Sequence, residues 1–163
     1  MSEEASRATA NRSIAVALEP SSRFGQTERN AIDAPAKADD GSLVPEILVV
    51  DDSKVMRDMI AACLRPDPSL VVTQAASGLE AIERLSLMRY DALVLDLNMP
   101  DIGGLEVVEF VRGQDKLKAL PILIVTTRAD DGSREKVLAA GASKYLTKPF
   151  TPESILAEVK ALL

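Results

Sequence analysis

The sequence contains no histidine and no tryptophan, and Cys63 is its only cysteine. A single cysteine excludes a disulfide within the chain and any metal site that needs several thiolates. The absence of histidine excludes His-based catalytic dyads and triads and most kinds of zinc site. Chemistry in this chain must therefore depend on Asp, Glu, Lys, Ser and Thr side chains.

Aromatic residues and long apolar runs are also scarce. Aromatics make up 3% of the chain, whereas hydrophobic residues make up 47%, so the core must be built from aliphatic side chains. The acidic start, MSEEASR, and the short apolar runs after it do not resemble a secretion signal or a membrane span, and we expect a cytoplasmic protein without membrane insertion. The net charge of -6 argues against a nucleic-acid partner.

Residues 1–45 differ in composition from the rest of the chain. They are rich in Ala, Ser, Asp and Glu, they contain three prolines, and they show no sustained hydrophobic period. This composition is typical of a segment that cannot bury enough apolar surface to fold alone. We therefore predict a disordered extension over 1–45 and one folded domain over 46–163.

From residue 46 onward, short apolar runs alternate with segments of helical period. Runs in which nearly every residue is apolar indicate strands buried on both faces, as in a parallel sheet covered by helices. Right-handed crossovers then predict an α/β, doubly wound sheet of five strands and five helices. The predicted strands lie in the runs 47–50, 70–76, 92–96, 122–127 and 144–147.

The first predicted helix lies in the run SKVMRDMIAACL and has one apolar face. Ser53 precedes it as an N-cap, because a serine oxygen can accept hydrogen bonds from the first turn. Its predicted buried face is formed by Met56, Met59, Ile60 and Cys63.

Residues that can carry chemistry follow four of the five predicted strands. In a doubly wound sheet, ligands bind beyond the carboxyl ends of the strands, so we expect these residues to share one edge. Clustered carboxylates stay ionised near neutral pH only beside a compensating cation, and oxygen ligands favour Mg²⁺, with Mn²⁺ as an alternative. The residues are Asp51 and Asp52, Asp96, Thr126 and Thr127, and Thr147 and Lys148.

Such a site can receive a phosphoryl group, because an attacking carboxylate needs its own charge and that of the transferring oxygens neutralised together. A lysine and a divalent metal provide that neutralisation, and a hydroxyl provides a further contact. Metal binding without phosphate chemistry is the alternative.

The four motifs VVDDS, LVLDLNMPDIGG, ILIVTT and GASKYLTKPF resemble those of the receiver domain of two-component response regulators. Asp52, Asp96, Thr126 and Lys148 are separated by 44, 30 and 22 residues, which matches the family pattern. The resemblance covers 46–163 and implies a flavodoxin-like sheet with strand order 2-1-3-4-5.

The resemblance assigns expected roles to the acidic residues. Asp96 would be the phosphoacceptor and would form an acyl phosphate. Asp52, Asp96 and the backbone carbonyl of Asn98 would ligate Mg²⁺ directly, whereas Asp51 would act mostly through bound water.

It also assigns roles to residues of the last two strands. Lys148 would pair with the phosphoryl oxygens, and a cis peptide would join it to Pro149. Thr126 would move its hydroxyl onto the phosphoryl group and Tyr145 would turn inward, so these two form the expected switch. Simple strand packing is the alternative role for Tyr145. Thr127 departs from the Ala or Gly common at its position and could narrow the access of a phosphodonor.

The implied partners are a histidine kinase or phosphotransfer protein as donor, and a target protein that binds the face of the fourth and fifth strand-helix units. Because the last predicted helix reaches Leu163, we expect output by protein binding, as in the chemotaxis-type single-domain regulators. A phosphate sink or a stress-signalling adaptor is the alternative. A phosphatase of the haloacid dehalogenase kind is disfavoured, because Asn98 stands where such enzymes carry a general acid, and no turnover of an external substrate is expected.

Overall fold

The computed structural model describes Lys37 and residues 41–163, so most of the predicted disordered extension lies outside the described residues. Within the described part, Lys37 and Leu43 form an isolated antiparallel bridge. Val44 is buried, and the carbonyl of Pro45 accepts a hydrogen bond of 2.9 Å from the Val71 N–H. Packing therefore begins slightly upstream of residue 46.

Strands and helices alternate along the described chain, as the hydrophobic pattern predicts. Their bounds are β1 Glu46–Val50, α1 Lys54–Leu64, β2 Val71–Ala75, α2 Gly78–Leu87, β3 Ala92–Leu95, α3 Gly104–Gly113, β4 Ile122–Thr126, α4 Asp131–Ala140, β5 Lys144–Thr147 and α5 Pro152–Lys160. None of these helices is long and apolar enough to cross a membrane.

The five strands form one parallel sheet with the order β2-β1-β3-β4-β5, which confirms the predicted fold. Every residue of β3 and β4 is buried, and only Glu46 of β1 is not. The edge strands β2 and β5 are partly exposed. Uniformly apolar runs thus identify the inner strands, whose two faces are both covered by helices.

Successive side chains of each strand point to opposite faces of the sheet, and each face packs against its own set of helices. The face toward α1 and α5 forms one continuous aliphatic cluster that contains Ile47, Val49, Ile60, Leu123 and Ile155. The helices α2, α3 and α4 lie side by side and cover the opposite face.

The predicted buried face of α1 is wrong at one position. Ile60 and Leu64 are buried, whereas the Met59 side chain is 49% exposed and lies beside the exposed Val55. Residues four apart share a helical face, so Ile60 and Leu64 define the buried stripe, and Val55 and Met59 define its neighbour. Ser53 caps the helix as predicted, with its Oγ accepting a 3.3 Å hydrogen bond from the Met56 N–H.

Candidate functional site

Three carboxylates meet at the carboxyl edge of the sheet. Asp51 and Asp52 directly follow β1, and Asp96 directly follows β3, which is the neighbour of β1 in the sheet. One oxygen from each carboxylate can be chosen so that all three lie within 4.8 Å of one another. The sheet register therefore brings together the acidic residues that the sequence places 44 positions apart.

The two adjacent aspartates have different surroundings. Asp51 is buried, with Oδ1 accepting a hydrogen bond of 2.9 Å from the Ser53 N–H and Oδ2 accepting one of 2.7 Å from Lys148 Nζ. Asp52 is exposed. Both oxygens of Asp51 are thus engaged by protein donors, while the Asp52 carboxylate faces solvent beside the cluster.

The Asp96 carboxylate is buried between the other charged groups of the site. Its Oδ1 is buried and has no hydrogen-bond partner in the described structure. Burial raises the pKa of Asp96; the Lys148 ammonium, 3.7 Å from Oδ2, acts in the opposite direction, and the Asp51 carboxylate adds to the increase. A buried oxygen without a partner carries a desolvation cost that a cation or a donor in the site would remove.

Lys148 is held where it can reach both buried carboxylates. It follows β5, and its backbone N–H donates a 2.8 Å hydrogen bond to the carbonyl of Thr126 at the end of β4. Its side chain is only 9% exposed. The peptide bond from Lys148 to Pro149 is cis, as the resemblance implied.

A small polar network surrounds the hydroxyl of Thr126. The Thr126 side chain is fully buried, and its Oγ1 accepts hydrogen bonds of 3.4 Å from Asn98 Nδ2 and from the Arg128 N–H. Asn98 Nδ2 also lies 3.5 Å from Thr127 Oγ1, to which it donates. The Asn98 amide therefore links the loop after β3 to the two threonines at the end of β4.

Tyr145 lies on β5 with its hydroxyl directed at the loop after β4. The hydroxyl donates a hydrogen bond of 2.5 Å to the carbonyl of Arg128, and the Arg134 guanidinium lies 5.8 Å from the ring centroid. The side chain is partly exposed. Burial raises the pKa of the Tyr145 phenol, and nearby Asp130 acts in the same direction.

The loop between β3 and α3 depends on a close backbone approach at Gly104. A Cβ at this position would lie 2.3 Å from the carbonyl oxygen of Asp96 and 2.8 Å from the Cα of Leu97. Neither atom can move without displacing the backbone that carries the Asp96 carboxylate. The glycine thus permits α3 to begin directly beside the site.

Arg57 is a residue of this region that the sequence analysis does not single out. Its Nη1 donates hydrogen bonds to the carbonyl oxygens of Asp51, at 2.7 Å, and Asp52, at 3.2 Å. An arginine on an amphipathic helix is normally a solvated residue, and no spacing rule signals a side chain that turns back to the preceding loop. Only the three-dimensional structure reveals this contact.

Comparisons with known proteins agree with this geometry. Residues 47–160 match the family model of the response regulator receiver domain. The response regulator MprA of Mycobacterium ulcerans is 44% identical over 119 residues, which are 72% of this chain and 49% of that protein. The hybrid signal transduction histidine kinase D of Dictyostelium discoideum is 37% identical over 119 residues, 73% of this chain and 8% of that protein.

A solved structure of the Vibrio cholerae chemotaxis protein CheY4 superposes with a TM-score of 0.70 at 36% identity, and covers 74% of this chain and 99% of that one. The chain spans about half the length of the MprA proteins that it matches. The family match, the sheet order and the acidic cluster agree: this chain belongs to the response regulator receiver domain family, whose members are signalling phosphoacceptors rather than enzymes that turn over an external substrate.

Proposed function

We propose that this protein accepts a phosphoryl group on Asp96 from the phosphohistidine of a histidine kinase or phosphotransfer protein, in a Mg²⁺-dependent reaction. The observation that carries the proposal is the buried Oδ1 of Asp96, which has no hydrogen-bond partner in the described structure. The Lys148 ammonium lies near the other oxygen of the same carboxylate, and two further carboxylates lie beside it. The chain has no histidine, so the phosphoryl donor must come from outside this chain.

In the proposed step, a carboxylate oxygen of Asp96 attacks the phosphorus of the donor. The new P–O bond forms as the P–N bond to the donor imidazole breaks, and the bonding electron pair leaves with the imidazole nitrogen. Lys148 Nζ, already 3.7 Å from Asp96 Oδ2, is placed to contact the phosphoryl oxygens. The product is an acyl phosphate on Asp96.

The donor set of the site fits Mg²⁺, with Mn²⁺ as a second possibility. The site offers oxygen ligands only, and one oxygen of Asp96 is buried without a partner. Asp52, Asp96 and the Asn98 carbonyl would hold the ion, and Asp51 would act from outside, since its oxygens already serve Ser53 and Lys148. When bound, Mg²⁺ neutralises charge on the carboxylates and on the transferring phosphoryl group.

Thr126 and Tyr145 are proposed as the switch that reports phosphorylation. The Thr126 hydroxyl is buried and accepts two long hydrogen bonds of 3.4 Å. It also lies close enough to Asp96 to oppose the increase that burial causes in the pKa of that carboxyl, so it is placed to contact a phosphoryl group on Asp96. Tyr145 is tied to the carbonyl of Arg128, two residues beyond Thr126. A movement of this loop would therefore change the position of the Tyr145 ring.

The output is proposed to be phosphorylation-dependent binding of a target protein to the face formed by α4, β5 and α5. In α4 only Val137 is fully buried, so most of this helix remains available to a partner. The similarity to the chemotaxis protein CheY4 favours a chemotaxis or motility role in the cytoplasm, and a phosphate sink or a stress-signalling adaptor is the alternative. Binding to a flagellar motor protein only when the chain is phosphorylated would separate the first role from the other two.

The proposal predicts a single phosphoryl adduct. Incubation of the full chain with Mg²⁺ and acetyl phosphate or carbamoyl phosphate, followed by intact mass measurement, should show one alkali-labile adduct. Asp96→Asn should not form it, whereas Asp115→Asn, at a solvent-exposed carboxylate in the turn after α3, should form it as the wild type does. An adduct that persists in Asp96→Asn, or no adduct with any donor or kinase, would contradict the proposal.

A further inference from the structure

The loop that carries Asp51 and Asp52 is tied to α1 by one residue, Arg57. Its Nη1 donates to the carbonyl oxygens of Asp51, at 2.7 Å, and Asp52, at 3.2 Å. Its backbone N–H donates a 3.0 Å hydrogen bond to the carbonyl of Ser53. Arg57 therefore contacts three consecutive carbonyls, and the first two precede the helix, where no helical N–H serves them.

We propose that Arg57 is a positioning residue for the divalent cation, acting through the backbone of residues 51–53. This inference rests on the proposed Mg²⁺ site and concerns how that site is held. The exposed Asp52 carboxylate is joined to its backbone by a single methylene, so the backbone sets where it lies. Mg²⁺ demands near-ideal octahedral geometry at about 2.0–2.1 Å, so its affinity falls when a ligand is displaced by a fraction of an ångström.

The positive charge of Arg57 and its hydrogen bonds have opposite effects on cation binding. A guanidinium beside a cluster of carboxylates repels a second cation, so loss of the charge alone would strengthen Mg²⁺ binding. Loss of the hydrogen bonds frees two carbonyls and the loop that carries them, which weakens Mg²⁺ binding. The sign of the change in affinity therefore distinguishes positioning from simple electrostatics.

Two substitutions separate these effects. Arg57→Met removes the charge and the donors but keeps an unbranched apolar side chain. Arg57→Lys keeps the charge but replaces the guanidinium with a compact ammonium that cannot reproduce its geometry. Arg65→Met is the matched control, because Arg65 is an exposed arginine at the opposite end of α1.

The experiment is calorimetric titration of the unphosphorylated full chain with MgCl2. Residues that orient metal ligands typically change affinity by about 10–100-fold when replaced. We expect Arg57→Met to raise the Mg²⁺ Kd by about tenfold, and Arg57→Lys to raise it at least as much, because lysine keeps the repelling charge without the geometry of the guanidinium. Arg65→Met should leave the Kd unchanged. Phosphorylation of Arg57→Met by acetyl phosphate should recover at saturating Mg²⁺.

Amide hydrogen exchange in the absence of Mg²⁺ provides a second reading. The amides of residues 51–53 should exchange faster in Arg57→Met than in the wild type, and Arg65→Met should not change them. If Arg57→Met does not fold, Arg57→Lys carries the test, and its Kd must exceed that of the wild type.

An Arg57→Met Kd equal to or below the wild-type value would overturn the inference while leaving the proposed function intact. A wild-type chain that binds no Mg²⁺ would instead overturn the metal site of the proposed function. The two failures are thus distinguishable within one set of titrations.

Discussion

At the scale of single residues, Lys148 compensates part of the negative charge of the acidic cluster. Its ammonium lies 2.7 Å from Asp51 Oδ2 and 3.7 Å from Asp96 Oδ2, and all three side chains are at least nine-tenths buried. Removing one member of a buried ion pair leaves an uncompensated charge and costs about 3–5 kcal/mol. We therefore expect Lys148 to stabilise the protein without metal, in addition to its proposed contact with the phosphoryl group.

Lys148→Met is expected to lower the free energy of unfolding by about 3 kcal/mol without Mg²⁺. Saturating Mg²⁺ should restore much of this loss, because a bound cation would again compensate the carboxylates. Urea unfolding with and without Mg²⁺ measures both effects. The control is Lys118→Met, which removes an exposed pair with Asp115 and should cost at most about 1 kcal/mol. Equal destabilisation by the two substitutions would contradict the buried role of Lys148.

The unequal surroundings of Asp51 and Asp52 predict unequal effects on the metal. Asp52→Asn should abolish measurable Mg²⁺ binding, because the exposed carboxylate is the proposed direct ligand. Asp51→Asn should weaken binding by about tenfold, since Asp51 is proposed to act from outside the coordination sphere. Calorimetric titration of the two variants tests the ranking. Equal losses, or a greater loss in Asp51→Asn, would show that the ranking is wrong.

The sequence predicts which residue types gather at the site, but not how each is held there. Four motifs at the ends of strands place the acidic residues, Thr126 and Lys148 on one edge, because parallel strands share their carboxyl ends. The contact between Asp51 and Lys148 spans 97 positions, and the Arg57 side chain turns back from α1 to the loop before it. Such contacts follow from side-chain packing in three dimensions, which hydrophobic periodicity does not encode.

At the scale of elements, the junction between β3 and α3 determines where Asp96 points. Gly104 lets the helix start against the Asp96 carbonyl, with no room for a Cβ between them. Gly113, at the other end of α3, has open space around the position of a Cβ. A side chain is therefore excluded at Gly104 and tolerated at Gly113.

Gly104→Ala is expected to lower the free energy of unfolding by about 1–3 kcal/mol, because the new methyl would collide with backbone atoms rather than with a flexible side chain. It should also slow formation of the phosphoryl adduct. Gly113→Ala should be neutral or stabilise the helix by up to about 1 kcal/mol. Thermal unfolding and adduct formation measured on both variants test this. Equal stability of the two would contradict the predicted clash.

The sequence predicts the element types and their order because the inner strands are apolar on both faces. It predicts the buried face of α1 less well. The periodic pattern places Met59 on that face together with Ile60, whereas in the structure Met59 is exposed and Ile60 and Leu64 form the stripe that meets the sheet. Two adjacent apolar stripes on one helix give nearly the same periodic pattern, and only the packing against α5 and the sheet selects between them.

At the scale of the whole molecule, an ion pair connects the loop before β2 to the last helix. Asp67 accepts a hydrogen bond from Lys160 near the end of α5, and it also accepts a hydrogen bond of 2.9 Å from the Ser69 N–H. The Lys160 ammonium, followed by Ser69, lowers the pKa of Asp67 from 3.8 to about 2. The charged form of Asp67 is therefore favoured in the folded protein.

This lowered pKa predicts how the contribution of Asp67 to stability varies with pH. A carboxylate with a depressed pKa stabilises the folded state fully above its unfolded pKa of 3.8, and loses that effect as the pH falls toward about 2. Asp67→Asn should thus have a lower Tm than the wild type at pH 7, and the two should converge between pH 3.8 and about 2. Thermal unfolding of both proteins across this pH range measures the difference in Tm, and Asp115→Asn is the exposed control. A difference in Tm between wild type and Asp67→Asn that stays constant with pH would contradict this prediction.

The central claim is that Asp96 is the residue that becomes phosphorylated, and trapping the product at its site tests it most directly. The full chain is incubated with Mg²⁺ and acetyl phosphate, then reduced with borohydride, which converts an aspartyl phosphate to homoserine, and the digested peptides are sequenced by mass spectrometry. The account predicts homoserine at position 96, dependent on Mg²⁺ and on the phosphodonor. Homoserine at position 51 or 52 instead, or intact aspartate at all three positions, would contradict it.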